Sequence, residues 1–98
     1  MYEKILEEIC YLIRSKRYVM TIHAEEEMSD DELTIFDIEH VILTGKIIER
    51  QKDKISYEWK YIVEGNTLNT ETATVVAKIS LTQKLVIITV FIGRTHDL

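Results

Sequence analysis

The sequence predicts an α+β domain in which N-terminal helices pack on a four-stranded antiparallel sheet. Three observations predict it. Apolar residues recur at helical spacing through residues 3–16 and 34–44. They alternate with polar ones through 57–64 and 72–80. The link 81–84 is too short for a crossover, so the strands it joins form an antiparallel hairpin.

The elements follow in chain order. Tyr2, Ile5, Leu6, Ile9, Leu12 and Ile13 make one apolar stripe, and Glu3, Lys4, Glu7, Glu8 and Arg14 lie mainly off it. Residues 17–21 read as extended. Thr21 precedes a helix-forming run from His23 to Met28, whose carboxylates suit the positive end of a helix dipole. Residues 29–32 read as a turn. Thr34 and Asp37 form a capping-box-like pair, and Ile35, Ile38, Val41 and Ile42 form the buried stripe of the next helix. Gly45 stands where a glycine stop belongs.

Four strands are then expected, at 46–50, 57–64, 72–80 and 85–92, separated by a polar turn at 51–56, a loop at 65–71 and the turn at 81–84. In the second strand, Tyr57, Trp59, Tyr61 and Val63 share one face, and Glu58, Lys60, Ile62 and Glu64 the other. The last strand is apolar on both faces except at Thr89. It needs cover on both sides, by the fold or by a partner chain, most simply in a two-fold dimer.

Composition bounds the function. At 98 residues one domain, 1–98, is expected, with an ordinary 46% of apolar residues to form a core. Cys10 is the only cysteine, so no internal disulfide forms, which fits a reducing compartment. The first residues carry charges throughout and read as neither a signal peptide nor a membrane span, so a cytoplasmic location is expected. Residues 1–45 hold four Lys/Arg against eleven Asp/Glu, and residues 46–98 eight against six. The helical half is acidic and the sheet half mildly basic. A pI near 5.1 argues against strong nonspecific nucleic-acid binding and leaves room for a local site on the sheet.

Two constellations bear on chemistry. His23, Glu26 and Glu27 have i, i+3 and i+4 spacing, suited to an oriented general base or simply to a packed helix start with solvated carboxylates. The second histidine of a zincin helix is missing, so no metal or other cofactor is expected. Arg50, Lys60 and Lys78 come from three strands, and pairing in register brings such cations together, either as a phosphodiester site or as ordinary solvent-facing charges. Metal-free RNA cleavage needs a base for the 2′-hydroxyl, an acid for the leaving oxygen and a cation for the phosphorane. The catalytic set expected here is His23 as base or acid with Lys60, Arg50 and Lys78 as cations, converging at one edge of the sheet. Trp59, Tyr57, Tyr61 and Tyr18 suit either base stacking or the core. Cys10, without a paired His or Asn nearby in sequence, reads as a packing residue.

The stretches 21–28 (TIHAEEEM), 33–39 (LTIFDIE) and 45–49 (GKIIE) resemble the small prokaryotic family called domain of unknown function 4258, and 58–61 and 86–90 resemble one branch of it. The resemblance covers nearly the whole chain. It implies a layout similar to the RelE/ParE-like toxins. It further implies a toxin of a type II module, an mRNA interferase acting on RNA, held by a cognate antitoxin of the MqsA zinc-finger type. Glu27 stands where many members carry Arg, and Asp30-Asp31 where a second Arg often follows. The resemblance transfers no catalytic residue; His23 matches only as a motif position. Beside the toxin stand two other readings: a noncatalytic protein-binding or regulatory domain, and a different small enzyme using His23.

Overall fold

The computed structural model of the chain describes residues 1–94. Its elements run α1 (Glu3–Arg14), β1 (Tyr18–Met20), α2 (Ile22–Asp30), α3 (Ile35–Thr44), β2 (Lys46–Lys52), β3 (Trp59–Asn66), β4 (Thr72–Ile79) and β5 (Leu85–Ile92). The α+β class and the antiparallel β2–β3–β4–β5 meander agree with the sequence. The sheet itself differs from expectation: it has five strands in the order β1-β5-β4-β3-β2, and β1 joins parallel to β5. A three-residue strand carries no alternation to read, and its partner Leu85–Ile87 lies 67 residues further on. What places it is the need to pair the outer edge of β5.

Capping chemistry sets the turns between elements. After α1 the backbone turns left-handed at Lys16 (φ 60), while Lys16 N–H bonds Ile13 O and Arg17 N–H bonds Leu12 O. This is a Schellman closure, and it delivers the chain straight into β1. The same closure ends α2, with Glu32 left-handed and Leu33 N–H on Met28 O. Thr21 caps α2 by accepting from Ala24 N–H at 3.0 Å, and its hydroxyl donates to Ile88 O at 3.2 Å, tying the helix start to β5.

The core lies between one sheet face and the helices. Ile9, Leu12 and Ile13 of α1 and Ile38, Val41 and Ile42 of α3 pack against Val63, Val75, Ala77, Leu85, Ile87 and Val90. Two glycines let α3 approach β3. A Cβ on Gly65 would lie 2.0 Å from Val41 O, and one on Gly45 2.5 Å from both Val41 O and Glu64 O. Gly45 has φ −92, so it is not the left-handed stop that the sequence suggests. Its small size is what the fold uses.

Asp37 fastens α3 to the loop after β3. Its carboxylate accepts from Thr34 N–H (2.9 Å), Thr34 Oγ1 (3.1 Å) and Leu68 N–H (3.0 Å), and the residue is buried. The Thr34 backbone N–H, helped by that of Leu68, holds this carboxyl below its ordinary value against the burial that raises it. Its contribution is therefore present above the unfolded-state pKa, about 3.9, and is lost as pH falls through the lower folded value. Asp37→Ala orphans two backbone donors, and urea unfolding at pH 7 is expected to register a loss of about 2–3 kcal/mol. The difference from the parent narrows below about pH 4. Equal unfolding midpoints at pH 7 would rule this tie out.

Candidate functional site

Strand alternation sorts the sheet's side chains into a helix-covered face and an open face. The core residues Ile47, Val63, Val75 and Val90 form one cross-sheet row on the covered side. On the open face Ile62, Val76, Ile88 and Phe91 make an apolar floor, bordered by Gln51, Lys60, Thr74 and Thr89 around a shallow cavity of about 220 Å³. Ile62, paired with Glu49 on β2 and Val76 on β4, is only 3% exposed.

Lys60 and Lys78 both stand on this open face. The Tyr61↔Ala77 pair of the β3–β4 ladder makes them side-by-side neighbours, the next residue on each strand. Glu58, just before β3, reaches the same place: its Oε1 lies 2.9 Å from Lys78 Nζ, both side chains about one-third exposed. Glu58 and Lys78 thus form an ion pair at one end of the sheet, with Lys60 at the neighbouring backbone position on β3. Glu58 is absent from the catalytic set expected from sequence, although it shares a strand face with Lys60. Its parity with Lys60 was the signal available, two residues apart on one strand.

Arg50 is not with them. Ile48 is a bulge residue, so the register passes from Ile47↔Val63 to Glu49↔Ile62. Beyond it every β2 side chain changes face. Arg50 therefore pairs with the core residue Tyr61 and projects from the covered side at the rim, where its guanidinium stacks 3.9 Å from the Trp59 ring centroid. Lys52 lies 5.5 Å from the same ring and 5.8 Å from that of Tyr57. Tyr57 falls outside β3, in the hairpin turn, and Trp59 opens the strand at its rim, so neither joins Tyr61 in the core.

His23 is further off. It sits on α2 beside β5, 66% exposed, with Nε2 3.2 Å from Glu27 Oε1. Glu27 also accepts from Val90 N–H at 3.1 Å, and Asp31 from Ile92 N–H at 3.3 Å. These carboxylates stand in for a strand along the stretch of β5 that β1 does not reach. Glu27 and Asp31 therefore have internal work at the positions where the sequence departs from its resemblance. Three strand spacings, roughly 14 Å, separate β5 from Arg50 on β2. The structure brings Lys60 and Lys78 together and leaves His23 and Arg50 apart from them and from each other.

His40 Nδ1 lies 2.7 Å from Asn66 O on the α3 side, and His96 is outside the described residues. Cys10 is buried, its Sγ 3.8 Å from Ile42 O, and burial pushes its thiol up from the ordinary value. Among the described residues no three His, Cys, Asp or Glu side chains cluster as a metal site, and no helix is long and apolar enough to cross a membrane.

Comparison with known proteins places one family on the chain: that described as domain of unknown function (DUF4258) matches residues 20–92. No curated protein and no solved structure matches. The matched span takes in α2, α3 and strands β2 to β5, so it contains Glu58, Lys60 and Lys78.

Proposed function

The chain belongs to the DUF4258 family, and from that premise we propose that it is the toxin of a type II toxin–antitoxin module. It works as a metal-independent ribonuclease through the open face of its sheet. The observation that carries this reading is the Glu58–Lys78 ion pair on that face, with Lys60 beside Lys78 on the adjoining strand. Helices followed by an antiparallel meander, the RelE/ParE-like order, add support.

The roles follow from the chemistry. Glu58 takes the proton of an RNA 2′-hydroxyl, and the 2′-oxygen attacks the adjacent phosphorus. Lys60 and Lys78 neutralise the charge that builds on the phosphorane oxygens. Lys78, already hydrogen-bonded to Glu58, gives its proton to the departing 5′-oxygen and recovers one from Glu58. The products are a 2′,3′-cyclic phosphate and a 5′-hydroxyl, with no co-reactant consumed. No step uses His23.

The cognate antitoxin, of the MqsA zinc-finger type, covers the open face and blocks the lysines. That face also favours a second reading. Ile62, Val76, Ile88 and Phe91 form an apolar floor of the kind a protein segment covers, so a noncatalytic binding domain, or a homodimer through this face, needs no chemistry at Glu58.

Incubation of the purified chain with single-stranded RNA in excess EDTA separates these readings. The ribonuclease reading expects fragments ending in cyclic phosphate. Intact RNA, with the chain active in no growth-arrest assay, would hand the face to the binding reading.

A further inference from the structure

The β2–β3 hairpin carries a feature that the cleavage chemistry does not use. On the covered side of its tip, Tyr57, Glu58, Trp59 and Tyr61 join Ile79, Leu81 and the α1 residues Ile5 and Glu8 around an open pocket of about 310 Å³. That is the lower end of the roughly 300–1,000 Å³ range of ligand clefts. Arg50 and Lys52 stack on its aromatic rim.

Three features of this pocket need a reason. Tyr57 is 70% exposed and Leu81 95%, large apolar surfaces left in water at its mouth. Tyr57 also holds a left-handed backbone (φ 61), which a bulky aromatic adopts only at a cost that Gly or Asn would avoid. Asp53 enforces that turn by accepting from Ile55 and Ser56 N–H, at 2.8 and 3.0 Å. Finally, residues 46–60 hold five cations (Lys46, Arg50, Lys52, Lys54, Lys60) against three carboxylates (Glu49, Asp53, Glu58). This is a local surplus of two in a chain of net charge −5.

Aromatic rings rimmed by cations are the two elements of a single-strand nucleic-acid platform: rings stack bases, and cations track the backbone. We propose that this pocket receives one unstacked nucleobase of the RNA strand, held between Tyr57, Trp59 and Leu81, while Arg50 and Lys52 hold its flanking phosphates. The proposal rests on the ribonuclease reading and names its substrate contact. Glu58 lines this pocket and also pairs with Lys78, so the pocket and the lysines lie on either side of one strand end, and an RNA strand must pass round the hairpin tip to touch both. Glu8 gives the pocket a preference. A carboxylate accepts hydrogen bonds, so it favours bases with an exocyclic amino group, cytosine, adenine and guanine, over uracil, whose base edge offers only N3–H.

Trp59 is the only tryptophan of the chain, so its fluorescence reports this pocket directly. The probe is a 2′-O-methyl oligocytidine, which cannot be cleaved because its 2′-oxygen is blocked. Saturable quenching is expected, at least tenfold tighter than for the matching oligouridine, and weaker with rising salt. Tyr57→Ala, at an exposed position, should weaken binding tenfold or more with its circular dichroism unchanged, and Tyr57→Phe should restore it. Absence of quenching, or equal binding by Tyr57→Ala, overturns the pocket. Cleavage of ordinary RNA, run in parallel, keeps the two readings apart. Cleavage without quenching removes the pocket alone, whereas quenching without cleavage removes the nuclease and leaves the pocket.

Discussion

Glu58→Gln is expected, on the proposed ribonuclease reading, to slow metal-free RNA cleavage by a hundredfold or more, the usual worth of a positioned general base. The amide keeps the shape of the carboxylate and its bond to Lys78 but takes up no proton. Stability should hardly change. The ion pair is about one-third exposed on both sides, and water screens such pairs to roughly 0–1 kcal/mol. Lys78→Ala should lose activity on the same scale, because it removes both a charge on the phosphorane and the proton donor. His23→Ala is the contrasting variant. His23 lies beyond β5, at the far side of the sheet from Glu58, and its loss should leave the rate unchanged. Single-turnover cleavage with saturating RNA measures all three. A parent-like rate in Glu58→Gln, or a collapse in His23→Ala, would move the chemistry from the hairpin end of the sheet to α2.

Gly65→Ala is expected to be the most destabilising single methyl group in the chain, by about 3 kcal/mol or more. The added carbon would lie 2.0 Å from Val41 O and 2.8 Å from its carbonyl carbon. Both are backbone atoms of α3, so no side chain can swing away. The helix must lift from β3, opening the contact around Val41 and Val63, both fully buried. Gly45→Ala meets backbone oxygens at 2.5 Å and should follow the same course more mildly. Urea unfolding of the two variants should rank them in that order, both well below the parent. A Gly65→Ala midpoint within error of the parent would show that α3 does not approach β3 this closely.

The loss in Gly65→Ala also reaches function through the sheet. β3 carries Gly65 at one end and Lys60 near the other, so displacing the strand moves the open face as well. The three glycines of the chain are not interchangeable. Gly93 holds a left-handed backbone (φ 101), whereas Gly45 and Gly65 serve a contact between two backbones. That distinction is invisible until helix and strand are packed.

Much of the candidate site was nonetheless legible. Alternation puts Lys60 and Lys78 each on the less apolar face of its strand, and the register at Tyr61↔Ala77 sets them side by side. Arg50 stands apart from them for a definite reason. Counting by twos from Ile47, a core residue, puts Arg50 on the open face, but the bulge at Ile48 inserts one residue and reverses the count. His23 was misplaced for another reason. Its helix is assigned correctly, but helical spacing says nothing about which edge of a sheet the helix joins.

By itself the sequence determined what is local. Periods of 3.6 and 2 mark helix and strand, Thr34 with Asp37 starts α3, and the four-residue link forces the β4–β5 hairpin, because each depends on residues within a few positions of one another. Only the tertiary structure decided what depends on distant partners. It made β1 a parallel strand on β5, set Glu27 and Asp31 against the open edge of β5, and brought Gly45 and Gly65 together under α3. It also turned Arg50 to Trp59 and Lys78 to Glu58. An unpaired edge, a bulge or a backbone contact is satisfied by whatever the fold brings near, and no short window of sequence contains both halves of such a contact.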